Sequence, residues 1–386
     1  MISVTHLITT LETGGAEMML ARLVPALSAK EFRSRVVVMV PGGRAQDLLA
    51  AAGVPVVSLG MRRGRWNPFA VLPLVRELRR NRPEILQTWL YHADLLGLIA
   101  GRLAGVRSIL WNVRNSEIDR AARGTRLVRR LLRGLSSWPE AIVSNSDSAM
   151  RFHAGYGYAA RRWVVIPNGF DVDRFRPDPE SRLRVRESLG IPAAALVVGT
   201  VGRSDPLKDH PAFLSAACSV LRKLPGTELH FLVAGAGMTE ESPLAAALPE
   251  ACRRRIHFLG ERADVAGIMA AMDVFTLTSV AEGFPNVVGE AMACGVPCVV
   301  TDAGDAAKIA GAAGIVVPPG SPERVEAAWL RLLENPEERR ARGEASRKRI
   351  VDEYALGSVV ARYEALYREI AGASGEPQVA EMSSRA

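Results

Sequence analysis

The chain alternates short apolar runs with longer amphipathic stretches along most of its length. Several runs are almost entirely apolar, which is typical of parallel strands that are buried on both faces of a sheet. In the first half the pattern predicts strands at Ser3–Ile8, Arg35–Val40, Val54–Ser58, Ile85–Thr88, Ser108–Asn112, Ala141–Ser144 and Trp163–Pro167. In the second half it predicts strands at Ala195–Val201, Glu228–Ala234, Ile256–Leu259, Val274–Thr278 and Pro297–Thr301.

Helical patterns fill the segments between these strands, for instance Glu17–Ala29 and Ala70–Arg80. Strands that alternate with helices predict an α/β protein with a doubly wound parallel sheet in each half. Ligands of such sheets bind beyond the carboxyl ends of the strands, so two sheets predict a cleft between two facing domains.

A chain of 386 residues is too long for one ordinary core, which favours two domains. The turn-rich segment Ile166–Pro177 is the predicted join. We therefore predict a first domain over residues 1–168 and a second over 169–358. A C-terminal helix over 359–371, able to pack back on the first domain, and a disordered polar tail over 372–386 complete the prediction.

The composition is that of a soluble globular protein, with 48% hydrophobic and 23% charged residues. No apolar run reaches the roughly 18–20 residues that cross a bilayer. The N-terminus lacks the basic region of a signal peptide. The four cysteines have no metal-ligand spacing, so we expect them to be reduced and buried in a cytoplasmic protein.

Charge is distributed unevenly along the chain. Residues 1–170 contain 24 Lys and Arg against 11 Asp and Glu, whereas residues 171–386 contain 25 against 30. A basic first half indicates an anionic partner such as nucleic acid, a membrane surface or a phosphorylated substrate. No nucleic-acid-binding motif is present, which makes nucleic acid the weaker alternative.

The segment Arg120–Trp138 carries much of this basic charge. It places apolar residues on one helical face and arginines on the other; the apolar residues are Leu127, Val128, Leu131, Leu132 and Leu135. Such a helix either lies on an anionic membrane or is an ordinary domain helix with a charged solvent face. A second basic loop contains Arg62, Arg63, Arg65 and Trp66.

Two turns between a strand and a helix offer sites for a phosphate, because helix N-termini present unpaired N–H groups. Gly14 and Gly15 in the first turn either admit a phosphate or merely form a tight turn. Their spacing is not G-x-G-x-x-G, which counts against a dehydrogenase. In the second domain, Arg203 and Lys208 either hold a diphosphate or belong to a solvated loop that pairs with Asp205 or Asp209.

The stretch from Glu282 to Asp302 contains two glutamates, Glu282 and Glu290, around a predicted helix start. Asn286 is the predicted N-cap, and Gly295 ends the helix. Glu290 lies one helical turn after Asn286 on the same face. Because a carboxylate accepts hydrogen bonds from two vicinal hydroxyls, the pair is typical of binding groups that flank a phosphate-binding helix end.

These residues are similar to a known motif. E-G-F-P-N-V-V-G-E resembles the E-x7-E motif of family GT4 of the retaining GT-B glycosyltransferases. Further segments resemble landmarks of that family in the same order, from the first strand to about Ile370: T-G-G-A-E, V-G-R with its lysine, I-P-N-G-F-D-V-D-R-F, F-L-G-E-R-A-D-V and A-G-I-V-V-P-P-G. The resemblance implies a GT-B fold of two Rossmann-like domains across a cleft.

The resemblance also implies roles in binding a nucleotide-sugar donor. Glu290 would hold the ribose, and Glu282 would contact the transferred sugar. Backbone N–H groups that follow Glu282, in the segment of Phe284, Asn286 and Val287, would reach the sugar and phosphate. Arg203 and Lys208 would neutralise the diphosphate, on which Gly14 and Gly15 would close. His92, in T-W-L-Y-H-A-D, matches a histidine near the transferred sugar.

The implied reaction is a metal-independent transfer of a hexose or N-acetylhexosamine with retention, from a UDP-sugar rather than a GDP-sugar, with no cofactor. The implied acceptor is a saccharide, with the basic half favouring a lipid-linked one at the inner face of the cell membrane. The D-V-D at Asp171–Asp173 belongs to the join and is expected to be structural. The loop around Gly304 departs from the family pattern at Asp305 and Lys308, so the sugar stays open.

Two other functions compete with this prediction. A UDP-sugar epimerase of related fold would need further acid and base residues, and no convincing set stands out. A non-catalytic nucleotide-sugar sensor would need most of the same binding residues. Turnover with an acceptor separates a transferase from a sensor, and isomerisation without one identifies an epimerase.

Overall fold

The computed structural model describes residues 1–62, 70–114 and 123–373. Arg63, Arg65, Trp66, Arg120 and the tail from residue 374 onward lie outside the described residues. The chain divides into two compact units. One is Met1–Pro167 together with the segment that begins at Gly357, and the other is Asn168–Leu356.

The described part of the first unit contains a seven-stranded parallel sheet in the order β3-β2-β1-β4-β5-β6-β7. The strands are β1 Ile2–Ile8, β2 Phe32–Val38, β3 Val56–Ser58, β4 Ile85–Trp89, β5 Ser108–Val113, β6 Ala141–Ser144 and β7 Trp163–Val165. Its helices are α1 Gly15–Ala26, α2 Arg44–Ala51, α3 Val71–Asn81, α4 Tyr91–Ala104, α5 Arg123–Leu135 and α6 Asp147–Gly155. All seven predicted strands are present, with small shifts at their ends.

The second unit, all of whose residues are described, contains a six-stranded parallel sheet in the order β10-β9-β8-β11-β12-β13. The strands are β8 Leu196–Val201, β9 Leu229–Ala234, β10 Ile256–Gly260, β11 Val274–Leu277, β12 Cys298–Thr301 and β13 Ile315–Val317. The helices are α7 Pro179–Ser188, α8 His210–Lys223, α9 Pro243–Ala246, α10 Glu250–Arg253, α11 Val265–Ala270, α12 Asn286–Ala293, α13 Ala306–Ala310, α14 Pro322–Glu334 and α15 Pro336–Glu353.

The last helix, α16 (Leu356–Ala373), belongs to the first unit from Gly357 onward. The hydroxyl of Tyr363 accepts hydrogen bonds from Asn112 Nδ2 and Arg114 Nη2, both at 3.2 Å. The hydroxyl of Tyr367 donates to Gln87 Oε1 on β4. These buried contacts join the end of the chain to the middle strands of the first sheet.

Two sequence predictions need correction. The strand β13 was not predicted; like β3 and β7 it has three residues, and one of them, Val316, is 42% exposed. In α5 the apolar and basic faces do not match the buried and exposed sides: Arg129 is buried, whereas Leu127 and Leu131 are exposed. The apolar face of α5 is therefore only partly buried, with Val128 and Leu132 inside and Leu127 and Leu131 outside.

The four cysteines are buried and form no disulfide. Over the ranges 1–62, 70–114 and 123–373, the structure contains no helix long and apolar enough to cross a membrane.

Candidate active site

The predicted donor-binding residues of the second unit lie in loops at one edge of its sheet. Strands β8 and β11 are neighbours, while the chain continues from β8 to one side and from β11 to the other. This arrangement makes the gap beyond their carboxyl ends the topological switch point, where open α/β sheets bind ligands. Among the predicted residues of the second unit, Arg203 and Lys208 follow β8, Glu282 and Phe284 follow β11, and the others lie on α12.

An ion pair joins two of these loops. Lys208 Nζ lies 2.5 Å from Glu282 Oε1, and the same carboxylate oxygen accepts a hydrogen bond of 2.7 Å from Ser279 Oγ. The Lys208 side chain is 20% exposed and that of Glu282 is 10% exposed. Partial burial makes such a pair stronger than one on the open surface. The structure thus brings together two predicted residues that are far apart in the sequence.

Further hydrogen bonds fix the loop that carries Lys208. Thr278 Oγ1 donates to the carbonyl of Lys208 at 2.9 Å and to that of Asp209 at 3.0 Å. The N–H of Val280 donates to the carbonyl of Leu207 at 2.9 Å. Thr278 and Ser279 were not predicted, although two hydroxyl residues directly after a buried strand were a usable signal.

The helix α12 begins with an open end. Pro285 is the N-cap residue, and its side chain makes no capping hydrogen bond. The prediction that Asn286 caps the helix is wrong: Asn286 is its first residue, and its Oδ1 accepts a hydrogen bond of 2.7 Å from Asn168 Nδ2. Because the first N–H groups of a helix have no partner within it, this end can bind an anion.

Aromatic packing holds α12 in place. The ring of Phe284 stacks on that of Phe170 with 6.1 Å between centroids, and the side chain of Val287 packs on the same core. A methyl group at Gly289 would lie 2.1 Å from Phe170 Cζ, so the helix approaches Phe170 as closely as only glycine allows. Phe284 and Val287 can therefore offer a ligand their backbone rather than their side chains, while Glu290 is half-buried farther along the helix.

Arg203 does not join the Lys208–Glu282 pair in this structure. Its Nη2 donates to Asp205 Oδ2 at 2.7 Å, and its side chain is 68% exposed. The carbonyl of Arg203 contacts Nε2 of the buried His210 at 3.1 Å. Burial lowers the pKa of His210, which favours a neutral imidazole at pH 7. His210 was not predicted, although it follows Lys208 by two residues.

The loop after β12, which departs from the family pattern, supports the backbone of Glu282. The N–H of Asp305 donates to the carbonyl of Gly283 at 3.0 Å. Gly304 has a φ of +59°, and a methyl group there would lie 2.2 Å from the Glu282 carbonyl oxygen. Thr301 Oγ1 donates to the carbonyl of Ser279 at 2.6 Å. Gly304 is therefore required by both its conformation and its close contact with Glu282.

The remaining predicted residues lie in the first unit, at the carboxyl ends of the adjacent strands β1 and β4. Gly14 precedes α1 and Gly15 is its first residue. A methyl group at Gly14 would lie 2.3 Å from a carboxylate oxygen of Glu17, which occupies the space beside the turn.

His92 is the second residue of α4, and burial lowers its pKa. Leu90, two residues before His92, has a φ of +74°. A non-glycine residue in that region costs about 1–3 kcal/mol, and such strain is often found at functional sites.

The fold is shared with solved structures, one of which is named as a glycosyltransferase. The crystal structure of Anabaena Alr3699/HepE in complex with UDP-glucose aligns with 96% of this chain and 100% of its own, with a TM-score of 0.79 at 22% identity. The structure of WaaG, a glycosyltransferase involved in lipopolysaccharide biosynthesis, aligns with 94% of this chain and 99% of its own, with a TM-score of 0.71 at 17% identity. The two α/β units therefore define a GT-B fold.

The sequence matches two family models along most of its length. Residues 13–174 match the model "Glycosyltransferase Family 4", and residues 195–335 match the model "Glycosyl transferases group 1". The chain belongs to glycosyltransferase family 4, as its motifs predicted.

Two curated relatives carry specific names. One is the GDP-mannose-dependent monoacylated alpha-(1-6)-phosphatidylinositol monomannoside mannosyltransferase of Corynebacterium glutamicum, 27% identical over 75% of this chain and 80% of that protein. The other is the UDP-Gal:alpha-D-GlcNAc-diphosphoundecaprenol alpha-1,3-galactosyltransferase of Escherichia coli, 27% identical over 60% of this chain and 61% of that protein.

Proposed function

We propose that this protein transfers a hexose or an N-acetylhexosamine, with retention and without a metal ion, from a UDP-sugar to a lipid-linked saccharide. The observation that carries the proposal is the Lys208–Glu282 pair beside the open N-terminus of α12. A fixed cation and a helix end favour a diphosphate, and the Glu282 carboxylate, which contacts Lys208, can orient sugar hydroxyls.

In this proposal the donor diphosphate lies between the α12 N-terminus and the cations Lys208 and Arg203. Glu290 accepts hydrogen bonds from the ribose hydroxyls, and Glu282 accepts them from the transferred sugar. The N–H groups of the segment from Phe284 to Val287 contact the sugar and phosphate. His92 and the Gly14–Gly15 turn keep the roles that the family resemblance gives them, near the transferred sugar and the diphosphate respectively.

The chemical step breaks the bond between the sugar C1 and the diphosphate oxygen. The acceptor hydroxyl attacks C1 from the same face, and the departing phosphate oxygen takes the proton of that hydroxyl. The products are the glycosylated acceptor and the nucleoside diphosphate. Lys208, Arg203 and the helix dipole stabilise the charge that develops on the leaving group, which is often the largest contribution to catalysis.

The names of similar proteins support a lipid-linked acceptor, and two of the three support a UDP-sugar donor, while the C. glutamicum relative is named for GDP-mannose. The Anabaena structure holds UDP-glucose, and the E. coli relative is named for UDP-Gal. The two relatives are named for a phosphatidylinositol mannoside and a diphosphoundecaprenol-linked sugar, both of which are lipid-linked acceptors. The basic first half of the chain agrees with work at an anionic, inner membrane surface.

The test is a transfer assay with the purified protein. UDP-glucose, UDP-galactose, UDP-N-acetylglucosamine and GDP-mannose are each incubated with polyprenyl-diphosphate-linked N-acetylglucosamine or with a phosphatidylinositol mannoside, with and without EDTA. We expect one UDP-sugar to give a product whose anomeric configuration matches the donor, at a rate unchanged by EDTA. A donor isomerised without acceptor would identify an epimerase, and tight binding without turnover would identify a sensor.

A further inference from the structure

Exposed apolar side chains concentrate on one part of the first unit. Among the described residues, twelve large apolar side chains are exposed, and five of them lie on or next to α4 and α5: Ile99, Leu103, Leu127, Leu131 and Trp138. We call these five residues the α4–α5 face. Single exposed leucines are ordinary, but a cluster of them marks an interaction surface.

Helix geometry makes these residues one surface. Leu127 and Leu131 are four residues apart on α5, and Ile99 and Leu103 are four residues apart on α4, so each pair shares a side of its helix. The two helices pack against each other. Trp138 joins the surface through Arg102 of α4, whose Nη2 donates to the Trp138 carbonyl at 2.8 Å and whose guanidinium lies 5.8 Å from the indole centroid.

Packing inside the unit does not explain the exposed leucines. The buried side of α5 consists of Val128, Arg129 and Leu132, whose exposed fractions are 7%, 2% and 0%. In contrast, Leu127 is 60% exposed and Leu131 is 47% exposed. An apolar face wider than the buried one leaves room for a second apolar surface to cover the helix.

The charge around this face is positive. Arg102, Arg126 and Arg130 are exposed on the same two helices. In the described residues 95–114 and 123–139 the sequence has no Asp or Glu. A second copy of the same face would meet this one with like charge, which disfavours self-association.

We propose that the α4–α5 face docks on an anionic lipid bilayer. Leucines and a tryptophan on one side with arginines beside them are the composition of surfaces that insert at the headgroup boundary. Each arginine near an anionic membrane strengthens binding by roughly fivefold, and the apolar side chains add to this by leaving water.

This docking would also place His92 on the side of α4 that faces the membrane. Its consequence for the acceptor rests on the proposed function. On α4, Ile99 and Leu103 are seven and eleven residues after His92 and lie on the same side of the helix. A bilayer in contact with them would therefore face the same side as His92. The lipid-linked acceptor would then approach the imidazole from the membrane that holds its lipid.

The experiment measures binding of the full chain to vesicles by flotation. Vesicles of phosphatidylcholine with about one quarter phosphatidylglycerol are compared with vesicles of phosphatidylcholine alone, at low and at high salt. The variant carries Leu127→Glu and Leu131→Glu. Its matched control carries Leu48→Glu and Leu183→Glu, because these leucines are 41% and 47% exposed elsewhere and the change in net charge is the same.

We expect the unmodified chain to float with the anionic vesicles at low salt, and the Leu127/Leu131 variant to bind at least about tenfold more weakly. The control should stay within about threefold of the unmodified chain, because its leucines lie on other helices, α2 and α7, outside the α4–α5 face. Equal loss in both variants, or no binding of the unmodified chain, would overturn the proposal. The readout needs no nucleotide sugar, so it can succeed or fail independently of the transferase assay.

Discussion

Lys208 Nζ and Glu282 Oε1 lie 2.5 Å apart, although the two residues are separated by 74 positions in the sequence. The pair couples the loop after β8 to the loop after β11, and Ser279 Oγ donates to the same carboxylate oxygen. In our account, this contact sets the position of the carboxylate against the transferred sugar and of the ammonium against the diphosphate.

Removing either partner of this pair should remove the function of the other. We expect Glu282→Gln and Lys208→Met each to lower kcat/KM by at least about 100-fold, because each acts on the charge of the transition state. The double variant should be hardly slower than the slower single variant. The measurement is a double-mutant cycle of steady-state rates. If the two losses in kcat/KM multiplied in the double variant, or if Glu282→Gln kept full turnover, the assigned roles would be contradicted.

Arg203 should affect catalysis without affecting stability. Its side chain is 68% exposed and pairs with Asp205, a type of surface pair that contributes about 0–1 kcal/mol. We expect Arg203→Met to leave the thermal midpoint within about 2 °C and to raise the donor KM or lower kcat by about tenfold or more. The control is Arg340→Met, at a 78% exposed arginine on α15 of the same unit. If both variants keep full activity, Arg203 does not contact the diphosphate.

Gly304 should be more sensitive to substitution than a matched glycine. Gly304→Ala places a methyl group 2.2 Å from the Glu282 carbonyl oxygen at a φ of +59°. Gly320→Ala has a similar φ of +65° but nothing within 4 Å of the added carbon. The conformational cost of about 1 kcal/mol is common to both.

We therefore expect Gly304→Ala to destabilise the protein by at least about 1 kcal/mol more than Gly320→Ala, and to lower turnover because Glu282 is displaced. Urea unfolding and the transfer assay measure the two effects. Equal losses in the two variants would show that the loop after β12 does not support Glu282.

Acid should destabilise the first unit through His153. The buried imidazole has Nδ1 2.7 Å from the carbonyl of Ala149 and Nε2 2.9 Å from the hydroxyl of Tyr91. The carbonyl requires an N–H at Nδ1, so Nε2 accepts from Tyr91 and the ring is neutral. Burial lowers the pKa of His153 from 6.5 to about 4.

Because the folded pKa lies below the unfolded one, the unfolded state binds more protons between about pH 6.5 and 4. Stability from this group is complete above pH 6.5 and is lost as the pH falls, by about 2 kcal/mol between pH 7 and 5. We expect His153→Gln to be less stable at pH 7 but to lose about 2 kcal/mol less over that interval. Urea unfolding at pH 7, 6 and 5 measures the slope. Parallel slopes for the two proteins would rule out His153 as the group.

Much of the fold could be predicted from the sequence because buried parallel strands are nearly continuous apolar runs. The exception is β13, which was missed although it is no shorter than β3 and β7. The apolar face of α5 was also predicted, but not which part of it is buried. That depends on how the helix packs on its neighbours, such as α4, which leaves Arg129 inside and Leu127 outside.

The sequence predicted those parts of the candidate site whose residues are close together in the chain. The run from Glu282 to Glu290 contained both glutamates and the helix start, although the local cap at Asn286 was wrong because Asn168 competes for that side chain. The Lys208–Glu282 contact and the support of Glu282 by Gly304 join segments from different strands. Spacing cannot reveal such contacts, because they arise only when the sheet has formed.

The central claim is that the second unit holds a nucleoside diphosphate beside Lys208, Glu282 and the start of α12. The most direct measurement is the free energy of unfolding with and without UDP, GDP and ADP, for the unmodified chain and for Lys208→Met. At about 100 times its Kd, the correct nucleotide should stabilise the unmodified chain by about 2.7 kcal/mol and the variant by much less. No stabilisation by any of the three nucleotides, or equal stabilisation of both proteins, would contradict the account.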